Sequence, residues 1–123
     1  MIYEVELLAF EEPGRVDIRE VYLPEFNEER IKEVYIKSLH KDSLLGSIFY
    51  YGQNDFQPKE QRSVSVGDVI RLGHERWLVQ GVGFHLLSFA DYVEYLAMNR
   101  LTKMMFAFPS RRQGFSGQPA LKG

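Results

Sequence analysis

The stretch RSVSVGDVIRLGHERWLVQGVGF, residues 62–84, carries the strongest local signals in this chain of 123 residues. Val64 and Val66 alternate with serines, which is the period-2 pattern of a strand with two different faces. Residues 69–72 form a second short apolar run. The Gly67-Asp68 step lies between the two runs, so the sequence predicts two strand segments joined by a bend.

The second half of the same stretch predicts a hairpin. Residues 73–76, GHER, form a polar connection of suitable length, and residues 77–84 are the predicted return strand. Gly81 and Gly83 lie inside that strand pattern. Glycines in such positions indicate a bulge or a close approach by another backbone.

Upstream of this stretch, the N-terminus predicts another hairpin. Residues 2–10 alternate between apolar and polar side chains, with Glu4 and Glu6 expected on a solvent-exposed face. Pro13-Gly14 is a strong turn signal, and residues 16–23 resume a strand pattern. The two runs are therefore expected to pair with each other.

Two helices are predicted between the hairpins. The first spans residues 28–39, with Asn27 as its N-cap. The second begins at Asp42 or Ser43, with Gly52 at the position of a left-handed C-cap. Short apolar runs in both segments leave a strand open as an alternative.

The clearest helix signal follows the central stretch. Ser88 and Asp91 form an S-x-x-D capping box, which opens a helix that extends to residues 98–100. Residues 103–108, KMMFAF, are then predicted to form a last strand, which Pro109 ends. The Gly-, Pro- and Ser-rich residues 109–123 predict a disordered basic tail.

These elements predict a single α+β domain over residues 1–108. Its expected architecture is a small, mostly antiparallel, partly barrel-like sheet with two or three short helices. Hydrophobic residues make up 45% of the chain, which suffices for an apolar core without crosslinks.

Composition excludes several classes of protein. The chain has no cysteine, so disulfides, thiolate metal sites and a cysteine nucleophile are excluded. No signal-peptide pattern and no apolar run of the ~20 residues that span a bilayer is present, which favours a cytoplasmic protein without membrane contact.

All 17 acidic residues lie at or before Glu94, whereas five basic residues follow it. That asymmetry keeps nucleic-acid binding by the tail open, although a solvated surface explains it more simply.

No set of residues predicts catalysis. The three histidines, His40, His74 and His85, match no metal-ligand spacing. Ser65 has no adjacent base, and Asp68 is expected to accept backbone N–H groups and so stabilise the bend. No glycine pattern predicts a phosphate or dinucleotide site. We therefore expect no catalytic residue, no metal and no cofactor.

The polar loop of residues 52–62 is the more informative surface. Its amide side chains both donate and accept hydrogen bonds, and aromatic residues flank them, a mixture typical of recognition surfaces. Together with exposed basic residues, they form the candidate binding set for a protein partner or a nucleic acid. The members of that set are Gln53, Asn54, Phe56, Gln57, Arg62, Arg71, His74, Arg76, Arg111 and Arg112.

The run Arg62-Ser63-Val64-Ser65-Val66-Gly67-Asp68-Val69-Ile70, followed by Trp77-Leu78-Val79 and Val82-Gly83-Phe84, resembles the YodL-like family. The resemblance covers roughly residues 2–84 and implies a non-catalytic domain of bacterial mobile elements or phages. A weaker resemblance, in Gly67-Asp68-Val69-Ile70 and Ser88-Phe89, is to ASCH and PUA-like domains, which implies nucleic-acid binding.

The sequence thus predicts an interaction module that binds a host or element protein, with a PUA-like nucleic-acid-binding domain as the alternative. It leaves the oligomeric state open.

Overall fold

The computed structural model describes residues 1–23 and 40–108, except for the side chains of residues 40–43. The helix predicted over residues 28–39 and the disordered tail predicted over residues 109–123 lie outside the described residues. The same holds for Arg111 and Arg112 of the candidate binding set.

The described residues form five strands and three helices. In chain order these are β1 (Ile2–Glu6), β2 (Ile18–Tyr22), α1 (His40–Tyr51), β3 (Val69–Leu72), β4 (Glu75–Val79), β5 (Phe84–Leu87), α2 (Phe89–Leu96) and α3 (Arg100–Ala107). The strands form one antiparallel sheet in the order β2-β1-β3-β4-β5, which is open and does not close into a barrel. The predicted α+β class is confirmed. None of the described helices has the length and apolar character needed to cross a bilayer.

The predicted N-terminal hairpin is confirmed. β1 pairs with β2 along its whole length, from Ile2 opposite Tyr22 to Glu6 opposite Ile18. The other side of β1 pairs with β3 through Val5 opposite Ile70 and the next residue pair. The hairpin is therefore joined to the strands of the central stretch by a long-range contact that no local pattern specifies.

Apolar residues cover both faces of the sheet. On one face, Val5 and Ile70 belong to a core cluster that includes Leu45 and Ile48 of α1. On the other face, Val69 and Leu78 pack with Tyr95 of α2, and Phe106 of α3 packs against them. The sheet thus lies between α1 and the α2–α3 pair, and β1, β3 and β4 are buried on both sides.

The bend at Gly67-Asp68 is confirmed, but residues 63–66 do not form the predicted strand. Val64 N instead donates to Gly52 O at 3.1 Å, so this segment is held by α1 and not by the sheet. Gly67 has φ +99°, and a Cβ there would lie 2.8 Å from Ala9 Cβ. Both the backbone conformation and the close approach require glycine.

Three further predictions are wrong: those for residues 77–84, for Gly52 and for residues 103–108. Residues 77–84 are not one strand: β4 ends at Val79, and a turn in which Gln80 N donates to Gly83 O leads into β5. Gly52 does not have the positive φ of a left-handed C-cap. A Cβ at Gly52 would lie 2.5 Å from Val64 Cγ2, so close packing is what requires glycine there. At Gly81, where a close backbone was predicted, the nearest group is a side chain: a Cβ there would lie 2.8 Å from Phe108 Cδ1 and 3.8 Å from the backbone atom Ala107 O.

The last error concerns residues 103–108, which form most of α3 and not a strand. Asn99 caps this helix by accepting a hydrogen bond from Thr102 N at 2.9 Å. The C-terminal end of α3 is tied to the β4–β5 turn, because Gly81 N donates to Ala107 O at 2.8 Å. The predicted cap of α2 is confirmed, since Ser88 Oγ accepts from Asp91 N at 3.0 Å.

Candidate interaction surface

Amide side chains of the 52–62 loop bind the outer edge of β2. Gln57 Oε1 accepts from Tyr22 N at 2.9 Å, and Gln57 Nε2 donates to Tyr22 O. Gln61 Nε2 donates to Ile18 O at 2.8 Å. These groups of the predicted recognition loop are therefore hydrogen-bonded within the fold.

Arg19 holds the same loop from the inside. Its side chain is fully buried, although the sequence gives no sign of a buried arginine on β2. Nη1 donates to Asn54 Oδ1 and to Arg62 O at 2.7 Å, and Nη2 donates to Gln57 O at 2.7 Å. Burial lowers the pKa of Arg19. The loop thus wraps a guanidinium group whose two Nη atoms are hydrogen-bonded, while its buried Nε has no hydrogen-bond partner among the described residues.

Phe56 anchors the loop to α1. Its ring centroid lies 4.4 Å from that of Tyr50 and 5.9 Å from that of Tyr51, so this member of the candidate binding set packs against the end of α1. Gln53 Nε2 donates to the carbonyl oxygens of Phe49 and Val64.

Arg62 forms a two-point contact with a buried carboxylate. Its Nη1 and Nη2 donate to Asp68 Oδ2 and Oδ1 at 2.7 and 2.8 Å. Asp68 also accepts from Ala9 N at 3.0 Å and from Ser65 N at 2.7 Å. The prediction that Asp68 binds backbone N–H groups at the bend is therefore confirmed.

Arg71 and Arg76 share one carboxylate, that of Glu6. Their Nε atoms lie 2.6 and 3.1 Å from Glu6 Oε2, while Tyr92 of α2 donates to Glu6 Oε1 at 2.6 Å. Glu6 is fully buried, so the expectation that it lies on a solvent-exposed face is wrong. The reason is that α2 covers this face of β1. Burial, together with the Glu6 carboxylate, raises the pKa of Tyr92 to about 12.

The candidate residues do not form one site. Loop 52–62 lies along β2, Arg71 and Arg76 lie on the opposite face beneath α2, and exposed His74 lies at the β3–β4 turn. Among the described residues, no group of three histidine or acidic side chains is placed to hold a metal ion.

Among the described helices, α3 has the longest exposed apolar stripe. Leu101, Met104, Met105 and the C-cap residue Phe108 are all exposed, at the i, i+3, i+4 and i+7 spacing of one helical stripe. The buried residues on the inward face of α3 are Lys103 and Ala107. An amphipathic helix that directs its apolar stripe toward solvent indicates a binding surface.

A concave pocket of about 210 Å³ lies beside this stripe, and we call it the α3 pocket. Three exposed apolar residues, Phe10, Met104 and Phe108, contribute to its lining. The remaining lining residues are Ala9, Ser65, Val66, Gly67, Tyr95, Lys103 and Ala107. The lining contains no histidine and no acidic side chain, and its titratable residues are Tyr95 and Lys103.

The polar groups of the α3 pocket hold the fold together. Lys103 Nζ donates to Leu8 O at 3.1 Å and to Glu11 O at 3.3 Å. Tyr95 OH donates to Gly67 O at 2.6 Å. Burial lowers the pKa of Lys103, against the opposing effect of nearby carboxylates such as that of Glu11. What the pocket offers to a partner is therefore chiefly apolar surface.

Sequence reasoning missed this surface because it assigned residues 103–108 to a strand. The signal that identifies it is the combination of Asn99 as an N-cap with apolar residues at positions 101, 104, 105 and 108.

In comparisons with known proteins, no family model, no curated protein and no solved structure matches the chain. The resemblances to YodL-like and to ASCH or PUA-like domains therefore remain predictions.

Proposed function

We propose that this chain is a non-catalytic protein-interaction module that binds an apolar side chain of a partner protein in the α3 pocket. The observation that carries the proposal is the solvent-exposed apolar stripe of α3 beside a concave apolar pocket. Interfaces concentrate their binding energy where one aromatic or aliphatic anchor fills such a pocket.

The size of the pocket supports a side chain as its ligand. Its volume of about 210 Å³ is below the ~300–1,000 Å³ of typical small-molecule and cofactor sites. Met104 contributes a flexible thioether to the lining, and methionines adapt their shape to different partners. A partner helix or extended segment that presents one large apolar residue suits this arrangement.

Charge favours a protein over a nucleic acid. Arg62, Arg71 and Arg76 would bind phosphates in the alternative reading, but each of them hydrogen-bonds a carboxylate of the protein. Their positive charge is therefore already offset, which weakens the electrostatic term that nucleic-acid binding requires. A setting in a mobile element or phage remains an expectation from the sequence resemblance.

Adjacent methionines allow a matched test. Met104 and Met105 are both 46% exposed, but only Met104 lines the α3 pocket. Peptides selected from a random library on the wild-type protein would be titrated against Met104→Glu and Met105→Glu. We expect the selected peptides to share one large apolar residue, and Met104→Glu to cost at least ~2 kcal/mol of binding free energy.

Met105→Glu changes the same exposed stripe but not the pocket lining, so it should cost clearly less affinity than Met104→Glu. Equal losses in the two variants would overturn the assignment to the pocket. Failure to select any peptide, together with salt-dependent binding of RNA or DNA, would favour the nucleic-acid alternative.

A further inference from the structure

The two edges of the sheet differ in how their outward backbone groups are satisfied. On β2, the residues that point away from β1 include Tyr22 and Ile18. Gln57 hydrogen-bonds both the N–H and the C=O of Tyr22, and Gln61 binds the C=O of Ile18. Side chains thus occupy a large part of this edge, which is one way in which proteins prevent an edge strand from pairing with another chain.

The opposite edge, β5, pairs only with β4 among the described strands. Hydrogen-bonded and non-hydrogen-bonded residue pairs alternate along an antiparallel ladder. The backbone groups of Val79 point toward β3 and not toward β5, because its N–H donates to Asp68 O and its C=O accepts from Gly67 N. Val79 therefore forms a non-hydrogen-bonded pair with Phe84, which lies opposite it on β5. By the alternation, the pair of Trp77 and Leu86, two residues further along, is also non-hydrogen-bonded. Phe84 and Leu86 therefore direct their N–H and C=O groups away from the sheet.

No described residue binds these outward groups of Phe84 and Leu86. The usual devices that protect an edge are also missing from β5. Its sequence, FHLL, contains no lysine, no acidic residue and no proline, and the side chain of Leu86 is 44% exposed. β5 is thus a short, uncharged strand with two free donors and two free acceptors.

We infer that β5 is a homotypic interface, at which a second copy of this chain pairs antiparallel to it and extends the sheet across a twofold axis. The strand is complementary to itself. With His85 opposite His85 of the second copy, Phe84 of each copy lies opposite Leu86 of the other. Each such pair exchanges two backbone hydrogen bonds, which satisfies all the outward groups of both strands.

Charge and packing favour a second copy over an unrelated peptide. Like charges placed directly opposite each other would oppose a twofold pairing, and β5 has no Asp, Glu, Lys or Arg. The pairing also brings the exposed Leu86 of each copy next to an aromatic ring, that of Phe84. No residue of β5 lines the α3 pocket, so this interface is separate from the proposed partner site and either could exist without the other.

The test is the oligomeric state of the full chain, measured by sedimentation equilibrium over a broad concentration series. Leu86→Lys removes the apolar contact between Leu86 and Phe84 of the other copy and places two cations at diagonal positions about the twofold axis, and we expect it to weaken the dimer by at least about tenfold. Tyr22→Lys adds the same charge to the other edge strand at a residue of similar exposure, 50%, and should leave the dimer unchanged. Circular dichroism would check that both variants are folded.

Amide hydrogen exchange provides a second readout that does not depend on a variant. The amides of Phe84 and Leu86 should become protected as the concentration rises, whereas that of Val82 in the β4–β5 turn should not. A wild-type chain that stays monomeric throughout would overturn the inference. So would a dimer that forms without protection of Phe84 and Leu86, or one that Leu86→Lys and Tyr22→Lys weaken equally.

Discussion

Arg62 and Asp68 form a two-point ion pair, with donor–acceptor distances of 2.7 and 2.8 Å, between a half-buried guanidinium group and a fully buried carboxylate. The same carboxylate accepts hydrogen bonds from Ala9 N and Ser65 N. One side chain therefore joins the segment that follows β1, the 63–66 segment and the loop before it. Asp68 acts as a structural centre of the domain.

Replacing Asp68 with Ala should destabilise the protein by about 2–4 kcal/mol, because two buried N–H donors lose their acceptor and Arg62 loses its partner. Urea denaturation measures this change. Arg62→Met should cost less, since the Asp68 carboxylate keeps its hydrogen bonds from Ala9 N and Ser65 N in that variant. Equal and small effects of the two substitutions would contradict the central role of Asp68.

Gly67→Ala should cost about 2–3 kcal/mol, because the new Cβ combines a strained φ of +99° with a 2.8 Å contact to Ala9 Cβ. Gly73→Ala is the matched control: its φ is +61° and nothing lies within 4 Å of the added Cβ, so we expect only about 1 kcal/mol. Thermal or urea unfolding gives both values. The double variant Ala9→Gly, Gly67→Ala should recover part of the loss, and no recovery would place the strain elsewhere.

Gln57→Ala should loosen the β2 edge locally. The Tyr22 amide loses its acceptor, and a lost hydrogen bond of about 1 kcal/mol corresponds to roughly fivefold faster exchange of that amide with solvent. Hydrogen exchange followed by NMR resolves this single site. Gln53→Ala removes bonds to Phe49 O and Val64 O instead, so it should leave the exchange of Tyr22 unchanged. If both variants accelerate Tyr22 equally, the loop acts as a unit and Gln57 has no specific role.

Acidification should destabilise the protein through His85. Burial lowers the pKa of His85, and the nearby Asp91 offsets this only in part. The unfolded chain therefore binds a proton at a higher pH than the folded chain does. His85 therefore makes its full contribution to the free energy of unfolding above the ordinary histidine pKa of 6.5. That contribution is lost as pH falls from 6.5 toward the lowered pKa of His85 in the folded state.

Urea denaturation at several pH values between neutral and mildly acidic measures this dependence. His85→Gln should flatten it, whereas His74→Gln should not, because His74 is exposed at the β3–β4 turn. A slope that is identical in the wild type and in His85→Gln would show that other groups govern the acid response.

The local features of this protein follow from short stretches of its sequence. Pro13-Gly14 and Gly67-Asp68 mark turns or bends where the structure has them, and Ser88 caps a helix as the capping pattern predicts. The hairpin predicted at residues 73–76 is also present, but its turn is only Gly73-His74, because Glu75 and Arg76 already belong to β4. These features depend on the backbone preferences of a few adjacent residues, so a single sequence contains the information needed to place them. The apolar alternation likewise sufficed for the α+β class.

Only the tertiary structure decided which polar residues are buried and which apolar residues are exposed. Glu6 and Arg19 have the pattern of exposed strand residues, but α2 covers the first and the 52–62 loop encloses the second. On α3, an apolar stripe faces solvent while Lys103 points inward to two carbonyl oxygens. The reason is that the burial of a side chain depends on which distant element packs against it. Lys103 and its acceptor Leu8 are 95 residues apart along the chain, so the local sequence pattern around either residue does not indicate the contact.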